Sequence, residues 1–139
     1  MTEGGVIPCK EARWLAKKIL IADDSDALRA LLQATLRDPR YVIIQASGGV
    51  QALALREMHK PDLVILDETI TGISGVDVCR AIKRSPHSAT TPVILMSTKT
   101  QEDGQQLVSQ AGADVHLTKP FSPLSLLGTV ERLLASKED

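Results

Sequence analysis

The segment DLVILD, Asp62 to Asp67, decides the fold. Four apolar residues, with β-branched Val64 and Ile65 at their centre, lie between two carboxylates; a run this short and this uniformly apolar reads as a strand covered on both faces. Similar runs occur at 19–23 (ILIAD), 41–46 (YVIIQA), 92–97 (PVILMS) and 113–117 (ADVHL). Between them lie longer segments with apolar residues at helical spacing, the alternation expected of parallel strands joined by crossover helices. The pattern predicts an α/β domain built on a five-stranded, buried parallel sheet.

Helix start and stop signals agree with this reading. Ser25 or Asp24 precedes Leu28, Leu31 and Leu32; Ser47 precedes Val50 and Leu53; Thr100 has Asp103 three residues on, resembling a capping box. Gly112 is a natural stop. The last helix is expected to open with Ser122 as N-cap and Pro123 in the first turn, and to lay Leu124, Leu127, Val130 and Leu134 along the sheet. Residues 1–17 fall outside the pattern, broken by Gly4, Gly5 and Pro8, and are expected to form a flexible extension. A partner-binding arm anchored by Trp14 is the alternative.

The whole chain has 139 residues, enough for one domain. Its 16 basic and 17 acidic residues give a formal charge of −1, which supplies no electrostatic footprint for nucleic acid or anionic lipid. Aromatic residues make up 2%, too few for base-stacking platforms. No apolar run approaches the roughly 18 residues of a membrane span. The N-terminus lacks the apolar core of a secretory signal, and Cys9 and Cys79 form no disulfide framework, so the reducing cytoplasm is the expected location. Cys79, between Val78 and Ile82, reads as a small core residue; His59 and His87, near prolines, read as loop residues without ligand partners.

The chemistry collects at the strand ends, where open parallel sheets bind their ligands. The first strand stops at Asp23 and Asp24, the third at Asp67, the fourth at Ser97 and Thr98, and the fifth is followed by Thr118, Lys119 and Pro120. Three carboxylates within about 4 Å of one another, at an effective dielectric near 20, repel by roughly 4 kcal/mol per pair, which implies a cation. Oxygen ligands with no His or Cys at ligand spacing favour Mg²⁺ or Mn²⁺ over zinc. A divalent cation, an ammonium and a hydroxyl around a carboxylate are equipment for phosphoryl transfer, with Asp67 as the nucleophile.

Taken together, Asp23-Asp24, Asp67, Ser97 and Lys119-Pro120-Phe121 at successive strand ends resemble the receiver domain of two-component response regulators over residues 18–137. The resemblance implies a doubly wound, flavodoxin-like three-layer fold with strand order 2-1-3-4-5. It implies that Asp67 accepts phosphate from a histidine kinase or a histidine phosphotransfer protein, with no enzymatic turnover beyond self-catalysed phosphotransfer and autodephosphorylation. By the same resemblance Mg²⁺ is held by Asp24, Asp67 and the backbone carbonyl of Thr69, with Asp23 acting mostly through water. Lys119 pairs first with Asp67 and then with a phosphoryl oxygen, and Ser97 swings to bond another. The output face is then the fourth helix, fifth strand and fifth helix. Because the sequence runs only to Asp139, output by contact with a downstream protein is expected, without direct binding of nucleic acid or membrane.

Four departures from the family pattern stand out. The loop Glu68-Thr69-Ile70-Thr71-Gly72-Ile73-Ser74-Gly75 lacks the usual Met-Pro and Asp-Gly, so a more mobile loop is expected. Glu68 is expected to point into solvent. His116 stands where an aromatic switch residue is usual; a polar edge-strand substitution is the favoured account, and a proton-sensitive switch the alternative. Thr98 replaces a smaller residue, which is expected to narrow access for water. Taken singly, Asp23-Asp24 reads as a helix cap and Lys119-Pro120 as a turn; it is their joint placement that argues for a site. Two further functions stand as alternatives: a degenerate, unphosphorylated interaction module and, more distantly, a haloacid-dehalogenase-like phosphohydrolase, which Asp24-x-Asp26 faintly mimics.

Overall fold

The structure, a computed structural model, describes residues 16–138. The expected N-terminal arm, including Trp14, lies outside them except at its end. Strands β1 (Lys17–Ala22), β2 (Tyr41–Ala46), β3 (Leu63–Asp67), β4 (Val93–Ser97) and β5 (Val115–Thr118) alternate with helices α1 (Asp26–Thr35), α2 (Gly49–His59), α3 (Gly75–Arg84), α4 (Gln101–Ala111) and α5 (Pro123–Glu138). The sheet order is β2-β1-β3-β4-β5, and every neighbouring pair is parallel. This is the doubly wound arrangement expected from the sequence.

Side-chain alternation along each strand divides the interior into two clusters with no residue in common. Leu20, Ala22, Val64, Leu66, Val93 and Leu95 face α2, α3 and α4, where Ala52, Val78, Ile82 and Leu107 cover them. Ile19, Ile21, Leu63, Ile65, Ile94 and Met96 face α1 and α5, under Leu32, Leu36, Leu126 and Val130. Burying each large aliphatic side chain contributes roughly 1.5–3 kcal/mol, which is why strands covered on both faces are apolar throughout.

Local signals set most boundaries. The hydroxyl of Ser25 accepts the Leu28 amide, that of Ser74 accepts the Asp77 amide, and that of Thr100 accepts the Asp103 amide. Gly112 ends α4 in the left-handed region at φ 77°. Other boundaries correct the sequence reading. Gly48, not Ser47, occupies the cap of α2, because the Ser47 amide and hydroxyl are both bound by the Gln51 side chain. His59 is the last residue of α2 rather than a loop residue. Strand β1 begins at Lys17, inside the expected extension, its amide held by the Arg40 carbonyl. Strand β5 begins at Val115 rather than 113, since Asp114 is committed to the turn, where its carboxylate binds the Val93 amide and the Lys83 ammonium.

One close approach controls the site. A Cβ on Gly75, the first residue of α3, would fall 2.2 Å from the Asp67 carbonyl oxygen and 2.7 Å from the Glu68 Cα, so only glycine lets α3 pack against the end of β3. Gly128, exposed on α5, has no atom within 4 Å of such a position. Gly75→Ala is expected to lose about 1–3 kcal/mol through overpacking, whereas Gly128→Ala is expected to gain roughly 0.5–1 kcal/mol of helix propensity. Urea unfolding of the two variants measures both.

Candidate functional site

Strand order reverses around β1, which has β2 on one side and β3 on the other. Ala22 is in register with Leu66, so the residues that follow, Asp23 and Asp67, emerge side by side at the carboxyl edge of the sheet. Asp24 comes one residue later. These three carboxylates each offer an oxygen within 4.8 Å of the others. Asp23 and Asp67 are buried, at 1% and 3% exposure, while Asp24 is exposed.

Lys119 enters this cluster from the end of β5, its amide bonded to the Ser97 carbonyl at 2.7 Å. Its ammonium lies 2.6 Å from Asp67 Oδ1 and 3.2 Å from Asp23 Oδ2. Desolvation pulls the pKa of this ammonium down, but the hydrogen bond and charge of Asp67, followed by those of Asp23, outweigh it and hold the pKa above the ordinary lysine value. Lys119 thus carries full charge at any neutral pH.

Hydroxyl and amide groups hold the cluster from other sides. Asp67 Oδ2 accepts the Thr69 hydroxyl at 2.9 Å, Asp24 Oδ2 accepts the Thr71 hydroxyl at 2.6 Å, and Asp23 Oδ1 accepts the Ser25 amide at 2.8 Å. On the far side, Arg29 donates to the Asp23 carbonyl at 2.5 Å and pairs with Asp26, which is not a member of the cluster. The donor set is all oxygen, two of its three carboxylates are buried, and the Lys119 ammonium pairs with those two. That chemistry fits a hard divalent cation.

The fourth strand end holds a hydrogen-bonded pair. Ser97 and His116 point to the same face of the sheet, and Ser97 Oγ lies 2.6 Å from His116 Nε2 while also accepting the Lys99 amide at 3.1 Å. His116 is 1% exposed, and its Nδ1 has no hydrogen-bond partner among the described residues. The ring is pressed against α4, where a Cβ on Gly104 would come within 2.1 Å of Nδ1. His116 is therefore no ordinary polar substitution on an edge strand. It fills a slot that a helical glycine leaves open, and it binds the Ser97 hydroxyl.

Glu68 also departs from expectation. Instead of pointing into solvent it is largely covered, and it faces the Lys99 ammonium at 3.8 Å. The loop that follows is tied down rather than loose: Thr69 and Thr71 hold carboxylates, the Thr71 carbonyl accepts the Gly49 amide, and Gly75 donates to the Glu68 carbonyl. Hydrogen bonds here take over the constraint that a proline ring would supply. Thr98 is exposed. Cys79 is fully buried on α3 as expected, its thiol pushed up to about 11 by burial.

The chain belongs to the response regulator receiver domain family, whose sequence model matches residues 19–131. Members of this family are components of two-component signalling systems. Among its relatives is the alkaline phosphatase synthesis transcriptional regulatory protein PhoP of Bacillus subtilis, 35% identical over 122 residues that make up 88% of this chain and 50% of that one. The chain spans about half the length of the curated relatives it matches. Among solved structures it resembles the chemotaxis response regulator CheY4 of Vibrio cholerae, with a TM-score of 0.79, 30% identity and coverage of 85% of this chain and 98% of that one. The receiver domain of a signal transduction histidine kinase from Syntrophus aciditrophicus gives a TM-score of 0.80 at 30% identity, covering 87% and 92%. Among the described residues no helix is long and apolar enough to cross a membrane.

Burial holds the His116 imidazole below the ordinary histidine pKa, with the charge of Glu68 pulling the other way. A base whose folded pKa is depressed contributes stability that is complete above the unfolded value, near 6.5, and that is lost as pH falls toward the folded value. Urea midpoints measured from pH 8 down to pH 5, a span chosen to bracket that value near 6.5, are expected to fall in the acidic half of the range. His116→Phe, which keeps a ring in the slot, is expected to flatten that fall.

Proposed function

We propose that Asp67 is the phospho-acceptor of a signalling switch and that Lys119 and the neighbouring carboxylates make it one. The observation that carries this reading is the Asp67 carboxylate itself, buried to 3% exposure and held 2.6 Å from an ammonium beside two further acidic residues. An Asp67 oxygen attacks the phosphorus of a phosphohistidine on a kinase or phosphotransfer protein. The P–N bond breaks, its electron pair stays on the imidazole, and an aspartyl phosphate remains. Lys119 neutralises one oxygen of the transferred group.

Family members hold Mg²⁺ in an acidic pocket, and here Asp24, Asp67 and the Thr69 carbonyl would be the ligands, with Asp23 acting through water and Mn²⁺ an acceptable substitute. When bound, the ion supplies charge neutralisation on the phosphoryl oxygens. Asp23 has a second duty, sharing the Lys119 ammonium and fixing the Ser25 amide at the start of α1.

Signal output starts at Ser97. A phosphoryl group brings nearly two negative charges and three acceptor oxygens, and it competes with His116 for the Ser97 hydroxyl. When Ser97 turns to the phosphate, the buried His116 ring loses its one hydrogen-bonded partner and must repack or move against α4. The changing surface is then α4, β5 and α5, read by a downstream protein. The curated relatives are transcriptional regulators about twice as long, and receiver domains also occur within kinase chains; the receiver function proposed here is common to both settings.

The reading is tested by incubating the protein with acetyl phosphate and MgCl₂. The expected result is one hydroxylamine-labile phosphate per chain, absent in Asp67→Asn and absent when the metal is chelated. A wild type that takes no label from acetyl phosphate or from a histidine kinase is a passive interaction module instead, and continuous turnover of a phosphomonoester would mark a phosphohydrolase.

A further inference from the structure

We infer that Thr71 is a positioning residue for the acidic cluster, its hydroxyl holding the Asp24 carboxylate in the orientation that shares a cation with Asp23 and Asp67. The inference rests on the cation-binding reading given above and adds a residue that nothing in the family resemblance assigned.

The three carboxylates are not held alike. Asp23 and Asp67 are buried and both bind Lys119, which fixes them whether or not a cation is present. Asp24 is exposed, and its carboxylate is bonded to the Thr71 hydroxyl at 2.6 Å. That distance lies within the range of charge-assisted O–H···O⁻ bonds, roughly 2.5–2.7 Å. Only Oδ2 is engaged in this bond, and a carboxylate has lone pairs to spare for a metal ion.

A tether is useful only if its other end is fixed, and Thr71 meets that condition. Its carbonyl accepts the Gly49 amide at 2.9 Å, at the start of α2. The loop is seated so closely on this helix that a Cβ on Gly49 would fall 2.4 Å from the Ile73 carbonyl oxygen. Thr71 therefore joins three segments: the end of β1 through Asp24, the first turn of α2 through Gly49, and the β3–α3 loop to which it belongs. Asp24 inherits the rigidity of α2, so the ordering of an exposed carboxylate is completed before a cation arrives.

The test uses Mn²⁺ alone, titrated into the full chain without phosphodonor, with free ion read by electron paramagnetic resonance. Thr71→Val keeps the shape and removes the hydroxyl; its Kd is expected to rise roughly three- to tenfold, the net worth of one typical solvent-exposed hydrogen bond. Thr71→Ser is expected to restore wild-type affinity, which a loop held only by side-chain shape would not do. Equal binding by wild type and Thr71→Val, with Asp24→Asn weakened, overturns the role of Thr71 while leaving the cation site standing; so does a Thr71→Ser as weak as the valine variant. Equal binding by wild type and Asp24→Asn instead overturns the cation reading, and this inference with it.

Discussion

The ammonium of Lys119, drawn between Asp67 and Asp23, is the interaction on which the site depends. Two carboxylates at 1% and 3% exposure, side by side at a sheet edge, call for a compensating positive charge. Lys119 supplies it from β5, two strands away from β3 in the sheet, and so closes the carboxyl edge from β1 across to β5. Removing one member of a buried pair leaves the other uncompensated, a loss of about 3–5 kcal/mol. Yet one ammonium does not balance three carboxylates, and that surplus of negative charge is the basis of the proposed cation binding.

Around this pair, backbone packing does the placing. The parallel register brings Asp23 and Asp67 level, the absence of a side chain at Gly75 lets α3 close over the end of β3, and Gly104 leaves room for the His116 ring. Positions with the least side chain thus determine where the most reactive side chains sit.

The sequence made the sheet legible because strands buried on both faces admit few polar residues, and the polar exceptions marked the site. Asp23, Asp67 and Ser97 were visible for that reason, each following or ending an apolar run, and Lys119 because it follows the last strand. What stayed hidden depends on contacts between segments far apart in the chain. Nothing local shows that Thr71 bonds to Asp24, 47 residues away, or that Glu68 faces Lys99. Nor does the helical pattern of α4 reveal that Gly104 is there to seat a ring from β5. The edge position of β5 suggested an ordinary polar substitution at His116, whereas one face of that strand is roofed by α4. Boundaries slipped where a side chain made an unforeseen bond, as with Gln51 on Ser47 and Asp114 on Val93.

The division of the interior into two non-overlapping clusters has a mechanical meaning. The sheet is a wall between two rooms. Ser97 and His116 open into the room of α2, α3 and α4, so a rotamer change there passes from side chain to side chain through that layer. The layer of α1 and α5 feels it only when the wall itself, the hydrogen-bonded backbone of β4 and β5, shifts or tilts. Two sides of one small domain can therefore respond unequally to a single event, one repacked directly and the other, with α5, displaced only through the strands.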